Sequence, residues 1–306
     1  MKKKILIVAG GYSNEREISL KTAKSVYQEL KKNKRYKINF TEPNGNFVKK
    51  IKSFKPNIVF NLLHGRYGED GYIQALLESE KVNYTHSGVL ASSIAIDKEI
   101  SKKIYIKNKI LTPKYIKYKF KSSQEKNIIK NVEKKLKFPV VIKPINEGSS
   151  VNVYICKKNN FIKNLKKLKE YDEILIEKFI PGREIQVAVL GDEKLGAIEL
   201  KPKRKFYDYE AKYNPKAKTQ HIIPVELSKK NYDKVTSIAH KAHKLLNCRG
   251  VTRSDFRFYK NKFYLLETNT QPGMTALSLV PEIARYKNIS FSELISKILK
   301  DASINK

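Results

Sequence analysis

Four polar residues near the C-terminal end of the chain have the types and spacing of a metal site. Arg253 and Asp255 are two positions apart in a segment that predicts a strand, and Glu267 and Asn269 are two apart in the next predicted strand. Residues two apart on a strand lie on the same face of the sheet. Two carboxylates and an amide oxygen on one face are hard oxygen ligands of the kind that Mg²⁺ prefers.

The register of this predicted hairpin decides whether the four side chains meet. A loop centred on Asn261 would place Asp255 opposite Glu267, with both residue pairs on one face of the hairpin. A two-residue loop formed by residues 260 and 261 would place the pairs on opposite faces. The alternative to a metal site is an ordinary cross-strand polar face with solvated charges.

A loop of small residues after another predicted strand could bind phosphate. Lys143 ends that strand, and residues 147–150 (Glu-Gly-Ser-Ser) follow it. Backbone N–H groups, hydroxyls and an ammonium group can surround phosphate oxygens. The sequence contains no G-x-x-x-x-G-K-[ST] loop and no G-x-G-x-x-G fingerprint, so the phosphate-binding interpretation rests on this loop alone.

Three further loops follow predicted strands and could bind a substrate, although each could also be purely structural. The Pro-Gly turn at Gly273 can point backbone N–H groups at an oxyanion, or it can simply reverse the chain. Glu15, at the start of the first helix, would attract an ammonium group, or it could offset the helix dipole. His64 lies past the carboxyl end of the second strand, where open α/β sheets bind ligands.

Hydrophobic periodicity predicts three domains. Residues 1–97 alternate strand and helix signals, which is typical of a parallel α/β domain. Residues 98–180 predict a small module of helices and an antiparallel sheet, in which residues 92–109 form one helix across its boundary. Residues 181–306 predict an antiparallel sheet with flanking helices and a polar, aromatic loop at residues 203–219.

Composition excludes several protein classes. No apolar run reaches the roughly 18 residues of a membrane span, and Cys156 and Cys248 provide no disulfide framework, so we expect a soluble cytoplasmic protein. The basic start and residues 5–9 predict a buried strand, because the apolar run is too short for a signal peptide. The net charge of +33 is spread along the chain, which favours solvated lysine-rich faces over a basic surface that attracts anionic ligands or nucleic acids.

In this order, the motifs resemble those of the D-alanine–D-alanine ligase family of the ATP-grasp superfamily, along essentially the whole chain. The resemblance implies an ATP-grasp fold: an N-terminal parallel α/β domain, a small middle domain and a C-terminal antiparallel-sheet domain. The stretches that carry the resemblance are residues 10–20, 64–71, 97–98, 141–151, 206–213, 253–256, 266–275 and 278–281.

The resemblance implies ATP-dependent ligation of two D-alanines to D-alanyl-D-alanine for peptidoglycan precursor synthesis. A carboxylate does not acylate an amine at neutral pH unless it is first activated. Phosphorylation by ATP would give a D-alanyl phosphate, and attack by the second amine would release phosphate. The partners implied are ATP and D-alanine, with no nucleic acid, no membrane and a homodimeric assembly.

The resemblance also implies a nucleotide site between the middle and last domains, with ATP as substrate and two Mg²⁺ (or Mn²⁺) ions. The residues implied for the phosphates are Lys98, Lys143 and Lys212. Those implied for the adenine are Glu177, Lys178, Phe179 and Ile180, with Glu184 on the ribose. Those implied for the metal ions are Asp255, Glu267 and Asn269.

The two D-alanines would be bound by residues from several of these motifs. Glu15 would bind the first ammonium group and His64 the first carboxylate, and Ser278 and Leu279 would receive the second carboxylate. The residues implied for catalysis are Glu15, Ser149 and Tyr213, which would close a lid, and Arg253 and the Gly273 N–H, which would stabilise the transferring oxygens.

A few positions depart from the family pattern or leave alternatives open. Asn152 stands where the family often has glycine, and Gln271 and Thr268 flank the motif, so we expect little effect from these two. Tyr213 favours an amine over a hydroxyl as the nucleophile. A ligase that uses D-lactate or D-serine, a basic nucleic-acid-binding protein and a catalytically silent scaffold are the competing hypotheses.

Overall fold

The apolar run after the basic N-terminus forms the central strand of a parallel sheet in the computed structural model, which describes residues 2–120, 127–148, 151–201, 219–275 and 278–304. Ile5 and Ile7 pack on one face of this sheet, and Leu6 and Val8 pack on the other. Such burial on both faces is typical of parallel sheets. In spatial order, the strands are β2 (Tyr36–Thr41), β1 (Lys3–Val8) and β3 (Ile58–Asn61), covered by the helices α1 (Arg16–Lys31), α2 (Phe47–Phe54) and α3 (Tyr72–Ser79).

This region confirms the predicted parallel α/β domain but differs from the prediction in two places. Strand β2 and helix α2 were not predicted. Strand β2 has no fully buried residue and therefore no clear alternation, whereas Phe47 and Ile51 of α2 do follow a helical spacing. The third strand predicted over residues 82–85 is reduced to two isolated bridges of Tyr84, one with Val59 and one with Ser303. The carboxyl ends of β1 and β3 lead into the two loops that carry Glu15 and His64.

The single helix predicted over residues 92–109 is wrong, because the chain breaks at Asp97. Helix α4 (Val89–Ile96) ends there, and α5 (Lys98–Lys107) begins. Asp97 has an extended ψ of 100°, and its side chain accepts hydrogen bonds from the N–H groups of Glu99 and Ile100. A carboxylate in this position caps the exposed amides of a helix N-terminus. The break places Lys98 at the first position of a new helix.

The middle of the chain forms a separate four-stranded antiparallel sheet. Its core contains Val140, Ile142 and Ile176 from the sheet and Val132 and Phe161 from two helices. The strands, in spatial order, are β4 (Tyr115–Lys119), β7 (Glu173–Lys178), β5 (Val140–Pro144) and β6 (Tyr154–Cys156), and the helices are α6 (Ile128–Lys135) and α7 (Phe161–Lys166).

The C-terminal part is built on a five-stranded antiparallel sheet. Its spatial order is β10 (Gln220–Ile222), β9 (Glu193–Lys201), β8 (Arg183–Leu190), β11 (Val251–Tyr259) and β12 (Lys262–Asn269). The flanking helices are α8 (Lys229–Leu245), α9 (Leu279–Tyr286) and α10 (Phe291–Asp301). One face of the sheet shares a hydrophobic core with the N-terminal parallel sheet, whereas the middle region has a core of its own.

The architecture is the predicted α/β (α+β) arrangement of one parallel and two antiparallel sheets. The domain boundaries at residues 97 and 180 stay a prediction. Within the ranges that the structure describes, no helix is both long enough and apolar enough to cross a bilayer.

Candidate active site

A β-bulge brings the predicted metal ligands together. The hairpin has the two-residue loop at Lys260 and Asn261, and both residues have positive φ angles, as a type I′ turn requires. With that loop alone, the carboxylates would lie on opposite faces. The register shifts between Asp255 and Phe256, however, and this shift sets Asp255 opposite Glu267.

The same bulge pairs Arg253 with Asn269, which confirms the cross-strand pairs predicted for a loop centred on residue 261. The cause of this pairing differs from the prediction. The extra residue that shifts the register is Leu266 within β12, whereas the prediction placed the extra residue in the turn. Bulges of this kind redirect side chains next to active sites.

Each of the two carboxylates has a cationic neighbour. Arg253 donates hydrogen bonds to both oxygens of Asp255, from Nε at 2.8 Å and from Nη2 at 3.1 Å. The Nζ of Lys98 lies 3.7 Å from Oε2 of Glu267. Lys98, which was assigned to the phosphates, and Arg253, which was assigned to the transferring oxygens, therefore lie directly beside the predicted metal ligands.

The donor set fits a magnesium ion. Asp255, Glu267 and Asn269 supply two carboxylates and one amide oxygen, and Asp255 and Glu267 line one continuous cleft. Among the described residues, no cluster of three or more His, Cys, Asp or Glu side chains is arranged to hold a metal. Mg²⁺ commonly keeps several water ligands beside one or two carboxylates, so two carboxylates and an amide suffice as its protein ligands.

A cleft between the middle sheet and the C-terminal sheet contains the predicted nucleotide residues. Its walls combine positive groups, which suit phosphates, with an apolar strip, which suits a flat base. The lining residues that the sequence analysis named are Lys98, Lys143, Glu177, Lys178, Phe179, Ile180, Glu184, Asp255 and Glu267. Glu184, on β8, is 7% exposed. Its Oε2 atom lies 3.3 Å from Nη2 of Arg257, the residue that pairs with it on β11.

A buried ion network lies at the floor of this cleft. Glu177 is 2% exposed, and its two carboxylate oxygens contact two lysines, Oε1 with Lys102 at 2.8 Å and Oε2 with Lys143 at 3.0 Å. Burial by itself would raise the pKa of Glu177, but the two ammonium groups outweigh it and lower the pKa. Burial lowers the pKa of Lys102 to about 8 and also lowers the pKa of Lys98.

A second cleft joins the first and contains the predicted site of the first substrate. Lys98, Glu147 and Glu267 line both clefts, so the two spaces share a wall. The second cleft is mostly polar and is lined by residues from all three parts of the chain. The predicted residues in it are Glu15, His64, Arg253, Asn269 and Gly273.

Glu15 and His64 are held by several contacts at the carboxyl edge of the parallel sheet. Glu15 is 6% exposed, and a Cβ added to Gly148 would lie 3.2 Å from its Oε2 atom, so Gly148 lies directly against this carboxylate. His64 lies within hydrogen-bond distance of Glu69 through Nδ1 (3.4 Å) and of Thr22 through Nε2 (3.3 Å). These contacts fix the imidazole ring in the wall of the cleft.

The Pro-Gly turn brings the predicted oxyanion donor next to the predicted second substrate site. A Cβ on Gly273 would lie 2.9 Å from Oγ of Ser278, so only glycine allows this approach. The same Oγ accepts a hydrogen bond from the N–H of Thr275 at 2.9 Å. Ser278 stands at the N-cap of α9, and Leu279 begins the helix. The N-terminus of a helix favours an anionic group.

Gln271 has more contacts than expected for a residue that flanks a motif. Gln271 is 2% exposed and connects the metal loop to the parallel sheet. Its Oε1 accepts from Nδ2 of Asn61 at 3.0 Å, and its Nε2 donates to the carbonyl of Leu63 at 2.9 Å. Its backbone N–H donates to Oδ1 of Asn269 at 2.8 Å. This single side chain therefore ties the strand before His64 to the loop that carries a predicted metal ligand.

Asn152 has a left-handed backbone conformation, which is the conformation that favours glycine. Its φ is +55°, in the left-handed region that asparagine tolerates better than most residues. Its side chain donates to the hydroxyl of Tyr171 at 2.9 Å and accepts from that of Tyr154 at 3.2 Å. Ser149, Lys212, Tyr213 and most of the predicted lid at residues 203–219 lie outside the described residues.

Comparisons with known proteins agree on one family. The family model described as "D-ala D-ala ligase C-terminus" matches residues 107–300. The D-alanine–D-alanine ligase of Pelagibacter ubique is 68% identical over 306 residues, which cover all of both chains.

Solved structures from the same family show a similar fold. The D-alanine–D-alanine ligase of Bacillus anthracis is 34% identical, with a TM-score of 0.87 and coverage of 98% of this chain and 97% of that one. A second structure of the Bacillus anthracis enzyme, complexed with ATP, is 29% identical, with a TM-score of 0.84 and the same coverage.

Proposed function

The chain belongs to the D-alanine–D-alanine ligase family, and we propose that it joins two D-alanine molecules at the expense of ATP. The observation that carries the proposal is the shared wall of the two clefts. Lys98 and Glu267 line both the cleft with the predicted nucleotide residues and the polar cleft with the predicted substrate residues. A nucleotide in the first cleft and an amino acid in the second can therefore react with each other beside Lys98 and Glu267.

The first cleft binds ATP. An ATP-complexed ligase of similar fold supports this assignment. Lys98 and Lys143 contact the phosphates, and the strand end from Glu177 to Ile180 lines the base. Glu184, which is buried and faces the same cleft, accepts hydrogen bonds from the ribose hydroxyls. Lys212 completes the phosphate contacts in this proposal.

Asp255, Glu267 and Asn269 would hold the two Mg²⁺ ions. When bound, these ions neutralise the negative charge that builds up on the transferring phosphoryl group. Without that charge balance, the carboxylate pair and the triphosphate would repel one another.

The chemistry proceeds in two steps. A carboxylate oxygen of the first D-alanine attacks the γ-phosphorus of ATP, the bond to the β-phosphate oxygen breaks, and ADP leaves. The amine of the second D-alanine then attacks the carbonyl carbon of the acyl phosphate. The tetrahedral intermediate expels inorganic phosphate as the amine loses its proton, which leaves D-alanyl-D-alanine.

The residues of the second cleft position these reactants. Glu15 pairs with the ammonium group of the first D-alanine, and His64 contacts its carboxylate. Arg253 and the N–H of Gly273 stabilise the oxygens that gain charge during transfer, the role of an oxyanion hole. Ser278 and the N-terminus of α9 at Leu279 bind the carboxylate of the second D-alanine. Ser149 and Tyr213 close the loops over Glu15.

An acyl phosphate hydrolyses readily, so water must be excluded until the second amine attacks. The approach of Gly148 to Glu15 supports a closing role for the small-residue loop. Because ATP is a cytoplasmic metabolite, we place the reaction in the cytoplasm. The homodimer that the family resemblance implies stays a prediction, which light scattering of the purified protein would check.

The decisive assay is phosphate release from ATP and Mg²⁺, measured with and without D-alanine. We expect release to depend on D-alanine and to match the dipeptide formed mole for mole. Release at the same rate without D-alanine would contradict the proposal. Competition between D-alanine, D-serine and D-lactate in the same assay would identify the second substrate.

A further inference from the structure

Lys102 is a fully buried lysine below the nucleotide cleft. It lies one helical turn after Lys98 on α5 and has 0% exposure, and it does not line the cleft itself. Its Nζ contacts Oε1 of Glu177 at 2.8 Å and donates to Oγ1 of Thr112 at 2.6 Å. Thr112 in turn donates to the carbonyl of Leu265 at 2.7 Å, which anchors the ammonium group on β12.

Glu177 is shared by two lysines that differ in their access to the nucleotide. Lys143 lines the cleft and contacts the carboxylate through Oε2 at 3.0 Å, whereas Lys102 contacts it from below through Oε1. An ammonium group that moves onto a phosphate must leave its carboxylate. A buried carboxylate that loses its last cation is strongly destabilised and takes up a proton instead.

We propose that Lys102 is a positioning residue for nucleotide binding, which stays on Glu177 as its permanent counter-ion and so allows the ammonium group of Lys143 to move from that carboxylate to a phosphate. The inference rests on the proposed binding of ATP in this cleft. It adds a residue that touches no ligand and acts only through Glu177 and Lys143.

The other charged and titratable groups around this pair lie on four elements. Lys98 lies on the same helix as Lys102, Glu267 lies on β12, and Tyr115 lies on β4 with its ring centroid 6.0 Å from Nζ of Lys102. Lys143 lies on β5 and contacts Oε2 of Glu177. Lys98 lies beside Glu267 and lines the cleft, so it does not replace Lys102 as the partner of Glu177.

The test is calorimetric titration of the full chain with ADP and Mg²⁺ at pH 7, in two buffers of different ionisation enthalpy. This design reports both the dissociation constant and the number of protons taken up. In Lys102→Met, we expect ADP to bind about 10-fold or more weakly, as for the loss of a hydrogen bond to a charged group. We also expect about half a proton or more of additional uptake, because Glu177 is protonated when Lys143 leaves it.

Three further variants separate positioning from a general loss of structure. Lys103→Met removes the neighbouring exposed lysine, which pairs with Glu99, and should bind ADP as the unaltered chain does. The double variant Lys102→Met/Glu177→Gln has no carboxylate left to protonate, so the additional proton uptake should disappear. Lys102→Gln, which keeps a hydrogen-bond donor but no charge, should show the same additional uptake as Lys102→Met.

The inference is overturned if folded Lys102→Met or Lys102→Gln binds ADP with unchanged affinity and unchanged proton uptake. It is also overturned if the additional uptake persists in the double variant. Failure of the unaltered chain to bind ADP would instead contradict the proposed function, so the two failures are distinguishable.

Discussion

Asp255 and Glu267 lie opposite each other because one extra residue, Leu266, interrupts the pairing of β11 with β12. The two-residue turn at the hairpin tip would by itself direct these side chains to opposite faces of the sheet. The bulge therefore creates the acidic pair on which the proposed magnesium site depends. The partner strand then sets Asn269 opposite Arg253, within the same wall of the substrate cleft.

The first prediction concerns the metal ligands. Glu267→Gln keeps the shape of the side chain but removes one negative charge, so we expect the Mg²⁺ concentration for half-maximal phosphate release to rise about 10-fold or more. Titration of Mg²⁺ at saturating ATP and D-alanine measures this change. Glu226→Gln, at an exposed position that lines neither cleft, is the matched control. An unchanged Mg²⁺ dependence in Glu267→Gln would remove Glu267 from the metal site.

The second prediction concerns the guanidinium group beside Asp255. Arg253→Ala should lower kcat by about 10²–10³-fold, the usual cost of losing an oxyanion donor. The fold should persist, because Arg253 is at the wall of a cleft and not in a hydrophobic core. Steady-state kinetics and circular dichroism check the two parts. Near-normal turnover in a folded Arg253→Ala would show that the guanidinium group takes no part in the reaction.

Much of the fold and of the candidate site could be predicted from sequence. Buried strands appear as apolar runs, and the loops that follow them carry recognisable polar residues. The register of the hairpin could not be predicted, because Leu266 looks like any other apolar strand residue and the bulge follows from pairing with β11. The break at Asp97 was missed for a related reason: the flanking segments are both helical, and only the capping carboxylate marks the boundary.

Lys102 and Gln271 were missed because their roles depend on tertiary contacts. The chain has 63 lysines and arginines, and nothing in the sequence distinguishes a buried lysine from the many on solvated faces. Gln271 was expected to have little effect because it flanks a motif. Its two amide hydrogen bonds reach residues 61 and 63, which are more than 200 positions away along the chain.

The third prediction concerns this Gln271 link. Gln271→Leu would remove one of the two acceptors of the Asn61 amide, which also donates to Gly68, and the Nε2 donor of the Leu63 carbonyl. This loss should lower the free energy of unfolding by about 1–3 kcal/mol. Because the link supports the strand before His64, the KM for the first D-alanine should rise more than the KM for ATP. Gln74→Met is the matched control, since Gln74 is equally buried and its amide donates to the carbonyl of Gly68, within the N-terminal domain, rather than across to the metal loop. Equal effects on both KM values would refute a specific link to the substrate loop.

The fourth prediction concerns acid stability. His86 is 1% exposed, and within the described residues neither ring nitrogen has a hydrogen-bond partner. Burial, followed by the nearby charges of His64 and Arg249, lowers the pKa of His86 to about 3. The unfolded chain binds this proton near pH 6.5 and the folded chain only near pH 3, so stability from this group is complete above pH 6.5 and falls as the pH drops toward 3.

The His86→Asn variant tests this reading, because asparagine tolerates the left-handed φ of +69° at this position. Between pH 7 and pH 4, the unaltered chain should lose about 3 kcal/mol more of its free energy of unfolding than the variant does. Urea unfolding at several pH values measures the difference. Parallel pH profiles for the two proteins would contradict the account of His86.

The central claim is that a nucleotide passes its terminal phosphoryl group to the carboxylate of an amino acid at the shared wall of the two clefts. The most direct measurement is the fate of ¹⁸O when D-alanine labelled in its carboxylate is turned over with unlabelled ATP in ordinary water. The account predicts one ¹⁸O atom in each released phosphate, because the oxygen that attacks phosphorus leaves with it when the amine displaces the acyl phosphate. Phosphate that carries no ¹⁸O, formed together with the dipeptide, would contradict it.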